Sequence, residues 1–187
     1  LRKLYKILIK NNNKIYMVIT NIEIKARSSN NSEIRELLIS KNAKFIGKDH
    51  QTDVYFNLNR GRFKLRKGNI EHSLIFYDRE DKAEAKKSEV LLFKLIEEDG
   101  LEQLLTDSLG ILVVVDKERE IYFIDNVKFH LDNVSGLGEF VEIEAIDSEG
   151  NIGTEELRKQ CGFYKNLFGI RDEDLVAQSY SDLLLKK

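Results

Sequence analysis

From Thr20 onward the chain alternates strictly between polar and apolar positions. Asn21, Glu23 and Lys25 alternate with Ile22, Ile24 and Ala26, the period of a strand with one wet and one dry face. Asn30 to Glu33 followed by Ile34, Leu37 and Leu38 changes the period to helical, with Asn30 and Glu33 spaced as a capping box and an end near Lys41-Asn42. A long strand or bent pair is predicted from Lys44 to about Leu58, closed by the turn Asn59-Arg60-Gly61. Arg62–Lys67 then turns at Gly68-Asn69 into Ser73–Arg79 as a hairpin. Glu80 to Lys87 reads as an exposed charged loop, Val90–Leu95 as a short strand and Glu97–Leu109 as a helix. Ile111–Arg119 and Glu120–Asp132 are expected to pair, with Phe140–Ile146 as a last strand, Thr154–Phe168 as a helix and Asp172–Leu185 as a short terminal helix. Antiparallel strands outnumber helices, which makes residues 17–187 one α+β domain.

Which residues hold the polar faces changes the picture from fold to chemistry. Arg62, Lys64 and Arg66 share one face, Tyr77 and Arg79 another, and Lys117 and Arg119 a third. Asn126, Lys128, His130 and Asp132 oppose Val127, Phe129 and Leu131, while Glu142 and Glu144 alternate with Val141, Ile143 and Ala145. On any single strand, polar residues of mixed sign mean only that one face meets water. Over six strands the pattern asks for more. Helices packed on the apolar faces would leave the polar faces lining a common concavity if the sheet curls, although small barrels ordinarily fill with apolar side chains. Eight cations and four carboxylates in one cavity call for a polyanion to offset like-charge repulsion, with Arg forking onto phosphate oxygens. The carboxylates suit a hard divalent cation.

Charge and composition narrow the classes further. The net charge of the 187 residues is -2, but residues 1–16 hold five Lys and Arg and no acid, so the rest carries 25 basic against 32 acidic residues, a net of -7. That balance opposes nucleic-acid binding. No apolar run reaches the roughly 20 residues of a membrane span. One cysteine, Cys161, excludes an internal disulfide framework and a Cys-rich zinc site, and points to a reducing, cytoplasmic address. Cys161 is expected in the core beside Leu157, and His50 and His72 on the surface. The basic segment 1–16 is expected to lie outside the fold, with Met17 as the biological start.

Asn21-Ile-Glu-Ile-Lys25 resembles the Glu-x-Glu-x-Lys signature of the CYTH, or triphosphate tunnel metalloenzyme, family, with Asn21 in place of the first acid. Gly61–Arg66, Tyr77–Asp81, Lys86, Ser88, Lys117-Glu-Arg119, Asn126–Asp132, Gly136–Gly138, Phe140–Glu144 and Ser179–Leu184 extend the resemblance over residues 20–185, most closely to the class IV adenylate cyclase-like branch. The resemblance implies an eight-stranded, closed or nearly closed antiparallel barrel with a charged lumen and flanking helices. It implies Glu23, Asp132, Glu142 and Glu144 as ligands of Mg²⁺ or Mn²⁺, and Lys25, Lys64, Arg66, Arg79, Lys86, Lys117, Arg119, Lys128 and His130 as substrate contacts. Glu23, Lys25, Glu142 and Glu144 would serve the reaction itself. The implied reaction is conversion of ATP to cyclic AMP and pyrophosphate. Hydrolysis of an inorganic, thiamine or nucleoside triphosphate stands as the alternative and a non-catalytic nucleotide sensor as a second, with a homodimer plausible.

Overall fold

The computed structural model describes residues 17–78, 86–96 and 99–187, with only the backbone placed for 17–19 and 86–89. The expected extension 1–16, Arg79 and most of the charged loop lie outside the described residues. Eight strands alternate with the helices: β1 (Met17–Arg27), α1 (Asn31–Ser40), β2 (Lys44–Phe56), β3 (Arg62–Gly68), β4 (Ser73–Asp78), β5 (Lys86–Lys94), α2 (Leu101–Leu109), β6 (Ile111–Ile124), β7 (Val127–Val134), β8 (Gly138–Asp147), α3 (Thr154–Leu167) and α4 (Tyr180–Leu185). All neighbours are antiparallel, in the order β1-β5-β4-β3-β2-β6-β7-β8, and β8 pairs back onto β1, so the barrel closes.

The apolar face of every second residue explains the packing. Ile22, Ile24, Ala26, Phe129, Leu131, Val141, Ile143 and Ala145 form one buried cluster with Ile34 and Leu38 of α1 and Leu157 and Cys161 of α3. This main core therefore lies outside the barrel, between strands and helices. The Cys161 thiol donates to the Ile22 carbonyl at 3.2 Å, and burial pushes its pKa up to about 11, as suits a small core hydrophobe. A second cluster, Tyr55, Val115, Val134, Phe140, Val176 and Tyr180, sits where the chain after α3 crosses the barrel end, and a third joins Val54, Phe56 and Leu65 to Leu105 and Leu109 of α2.

Several elements depart from expectation. β5 begins at Lys86, inside the expected charged loop, and the terminal helix begins only at Tyr180, after a single 3-10 turn at Asp172–Asp174. β2 is one continuous strand, bent by register shifts at Phe45/Gly47 and Tyr55/Phe56. β6 runs on past Arg119 to Ile124, and the hairpin turns at Asp125-Asn126, with Asp125 at φ 49°. The charged run around Glu118–Glu120 is simply the alternation of a strand with a charged outer face. Asn30 caps no helical N–H. Its side chain instead accepts a hydrogen bond from the Ser28 hydroxyl at 3.1 Å.

Candidate functional site

Bonds that leap over intervening strands show which way the polar side chains point. Glu71, in the turn between β3 and β4, accepts from Arg66 Nη1 of β3 at 2.7 Å and also from Lys128 of β7, although β2 and β6 stand between those strands. Arg119 of β6 likewise reaches past β7 to Glu142 Oε2 of β8 at 2.7 Å. Such contacts are possible only through the interior, so the lumen is polar and charged.

Its centre is Asp53, a β2 carboxylate with a side chain 1% exposed. Oδ1 accepts from Arg66 Nε at 2.7 Å, while Oδ2 accepts from Lys64 at 2.7 Å, Lys117 at 2.9 Å and Arg66 Nη2 at 2.9 Å. Burial alone would raise the Asp53 pKa, but Arg66, Lys117 and Lys64 hold it well below the usual carboxylate range. The same burial, together with the neighbouring guanidinium of Arg66, lowers Lys64 to about 8 and Lys117 to about 7. Register accounts for the convergence: Asp53 faces Arg66 on one side and Val115 on the other, with Lys117 one inward position further along β6.

A second cluster lies toward β8. Asp132 binds Arg119 through both oxygens, at 2.7 and 2.5 Å, and accepts from the Tyr180 hydroxyl at 2.8 Å. Glu142 contacts Lys25 at 3.3 Å, Arg119, and His130 Nδ1 at 3.1 Å. Lys25 lies 4.1 Å from the centroid of the Tyr180 ring. Burial, with Arg119 and Lys128 close by, lowers the His130 pKa, leaving the imidazole neutral near pH 7, and His130 Nε2 is buried with no hydrogen-bond partner.

Glu23 and Glu144 occupy paired positions on β1 and β8, and Asn21 donates its amide to Glu144 Oε1 while its own Oδ1 is buried and unpartnered. Two carboxylates and an orphaned amide oxygen make an all-oxygen donor set of the kind a hard cation takes. Among the described residues, no three carboxylate, imidazole or thiol groups gather into a metal cage.

The structure thus brings Lys25, Lys64, Arg66, Lys117, Arg119, Lys128, His130, Asp132, Glu142 and Glu144 into one interior. Lys86 stands opposite Glu23 in the β1–β5 register, and Arg79 lies outside the described residues. Arg62 is turned to the barrel end, paired with Asp182 at 2.7 Å. The expected imbalance of cations is corrected by two carboxylates that sequence reasoning passed over, Asp53 and Glu71. Asp53 had a signal, since Asp49, Gln51, Asp53 and Tyr55 alternate with His50, Thr52, Val54 and Phe56. Glu71 had none, because a turn has no period.

The family model for the CYTH domain matches residues 20–180. The chain belongs to the CYTH family. A Methanocaldococcus jannaschii protein named as a putative adenylate cyclase is 28% identical over 175 residues, covering 87% of this CYTH chain and 97% of that protein. The solved structure of the PH1012 protein from Pyrococcus horikoshii is 30% identical with a TM-score of 0.76, covering 87% and 98% of the two chains. A Hippeastrum protein described by a dominant triphosphatase activity shares the CYTH fold at 14% identity and a TM-score of 0.59, over 89% and 94% of the chains. Among the described residues of this CYTH domain, no helix is long and apolar enough to cross a membrane.

Proposed function

We propose that this CYTH domain is a metal-dependent enzyme that takes a triphosphate into its lumen and converts ATP to cyclic AMP and pyrophosphate. The observation that carries the reading is the convergence of Lys64, Arg66 and Lys117 on the oxygens of one buried carboxylate, with Arg119 and Lys25 both directed at a second, Glu142. Donors already aimed at carboxylate oxygens are equally suited to phosphate oxygens, and held in place by their counter-charges they need little reorganisation as charge develops. The name of the Methanocaldococcus jannaschii relative supports the cyclase reaction.

In this reading Lys25, Lys64, Arg66, Lys117, Arg119 and Lys128 bind and orient the phosphate chain, joined on the strength of the resemblance by Arg79 and Lys86. Asp132, whose two oxygens grip the Arg119 guanidinium, holds that fork in place. Glu23, Glu144 and Asn21 Oδ1 would hold Mg²⁺ or Mn²⁺, and Glu142 ties Lys25, Arg119 and His130 beside them. When bound, the metal neutralises phosphate charge and makes the attacking hydroxyl more acidic. With its Nδ1 proton given to Glu142, His130 presents Nε2 as an acceptor, the polarity that suits the substrate hydroxyl. Phosphoryl chemistry of this kind rests on positioning and electrostatics.

The cations gathered around Asp53, Asp132 and Glu142 are of a kind that reads phosphate, which favours a triphosphatase as the second reading. Incubation with ATP and Mg²⁺ or Mn²⁺, with chromatography of the products, tests both. Cyclic AMP with pyrophosphate supports the cyclase. ADP with orthophosphate assigns the triphosphatase, and binding without turnover assigns a sensor.

A further inference from the structure

Two carboxylates share the Arg66 guanidinium, and they are mounted differently. Asp53 is on a strand at the centre of the barrel, 1% exposed and tied by four bonds. Glu71 hangs from the β3–β4 turn, 17% exposed, and accepts from Arg66 Nη1, Lys128 and, at 3.1 Å, Gln51 Nε2. The turn itself is fixed. Asp49, fully buried, accepts from the backbone N–H of Ile70 at 2.8 Å and of Glu71 at 3.0 Å. Gly68 lets the turn close, because a Cβ there would stand 2.7 Å from both Asp49 Oδ2 and the Glu71 carbonyl oxygen.

We propose that Glu71 is an internal competitor for the far end of the phosphate chain, occupying an anion position between Arg66 and Lys128 that a long polyphosphate must win and a short one never reaches. The inference rests on the triphosphate reading of the lumen and deepens it by assigning a residue that selects chain length. Displacing Glu71 leaves the Arg66 fork held by two bonds to Asp53, so the guanidinium keeps its direction when one anion replaces the other. Releasing Asp53 would instead take the shared counter-charge from three cations at once. Glu71 is therefore the exchangeable carboxylate and Asp53 the permanent one. An anion that fills the Lys64–Lys117 region alone meets no competition from Glu71.

The test is calorimetric binding of inorganic pyrophosphate and tripolyphosphate to wild type and Glu71→Gln, in EDTA so that no metal contributes. The glutamine keeps the size of the side chain and removes its charge. Tripolyphosphate should bind the variant on the order of ten-fold tighter, pyrophosphate less than about two-fold, and the gain should vanish in a Lys128→Gln background, where the contested cation is gone. Should Glu71→Gln fail to fold, Glu71→Asp, which keeps the charge on a shorter reach, should show the same selective gain at smaller size. Unchanged or weaker tripolyphosphate binding to a folded variant overturns the proposal, as does an equal gain for both anions. Wild type that binds neither anion in EDTA, and still binds neither when Mg²⁺ is restored, would remove the triphosphate reading itself; wild type that binds them only with Mg²⁺ overturns the competition alone.

Discussion

Replacing Asp53 with Asn gives the sharpest test of how the barrel tolerates its own charge. The substitution keeps the shape and takes one negative charge from among Lys64, Arg66 and Lys117, all within 2.9 Å of it. Removing one partner of a buried ion pair costs about 3–5 kcal/mol, because the remaining charge is left uncompensated in low dielectric. Two of the three cations can escape that cost by losing a proton. Lys117 and Lys64 already sit at about 7 and about 8, and without Asp53 they fall further. Deprotonating them is easiest at high pH, so the loss of stability should be largest near pH 6 and should shrink toward pH 8.5. At roughly 2–4 °C per kcal/mol for a chain of this size, the melting temperature should drop by about 6–20 °C at pH 6. Polyanions should reverse the damage: tripolyphosphate should raise the melting temperature of the variant more than that of wild type. Thermal unfolding followed by circular dichroism at both pH values, with and without tripolyphosphate, reads all three quantities. A melting temperature equal to wild type at pH 6, or weaker protection by tripolyphosphate, would refute the account of Asp53 as the permanent counter-charge.

Binding of ATP at pH 8 should take up between about one and one and a half protons, since Lys117 is largely and Lys64 half neutral there and a phosphate chain restores their charge. The dependence of binding enthalpy on buffer ionisation enthalpy measures this, and zero uptake counts against phosphate reaching either lysine. Glu144→Gln should abolish turnover with a change in stability within about 0.5 kcal/mol, because a glutamine oxygen can still accept the hydrogen bond that the Asn21 amide donates. Glu142→Gln should also abolish turnover but cost stability, because Lys25, Arg119 and His130 all lean on that carboxylate. Wild-type turnover in either variant removes that residue from the reaction. Leu157→Ala, at a fully buried site between α3 and the outer face of the barrel, should cost about 2–5 kcal/mol by denaturant unfolding while leaving ATP affinity unchanged.

Alternation made much of the fold legible. In the middle of β1, β3, β7 and β8 (residues 21–25, 62–66, 127–132 and 141–145) the inward residues are charged or amide-bearing, or the His130 imidazole, and the outward ones apolar, so period and chemistry agree. They disagree in β6, where Asp116, Glu118 and Glu120 cover the outer face. A run of charges there reads as a turn, while the real one at Asp125-Asn126 is only two residues long. The cationic half of the lumen could be read because Lys and Arg recur on strands. The anionic half could not be weighed in full, since Glu71 gains its meaning from a turn that brings residues 66, 71 and 128 together. What each carboxylate is for depends on which oxygens are spent: Asp132 and Glu144 look alike in sequence, yet one grips a guanidinium and the other an amide.

The closure of the barrel through β1 also bears on how the protein comes to be made. β1 pairs with β5, more than 60 residues later, and with β8, more than 110 residues later. During synthesis it leaves the ribosome well before either partner exists, with Ile22, Ile24 and Ala26 as an uncovered hydrophobic edge. The late joining of such distant segments sets a slow final step for folding, since the long loop must be closed before any contact rewards it. Newly made chains should therefore spend their most aggregation-prone interval with β1 able to pair with β5 and its other edge open until β8 arrives.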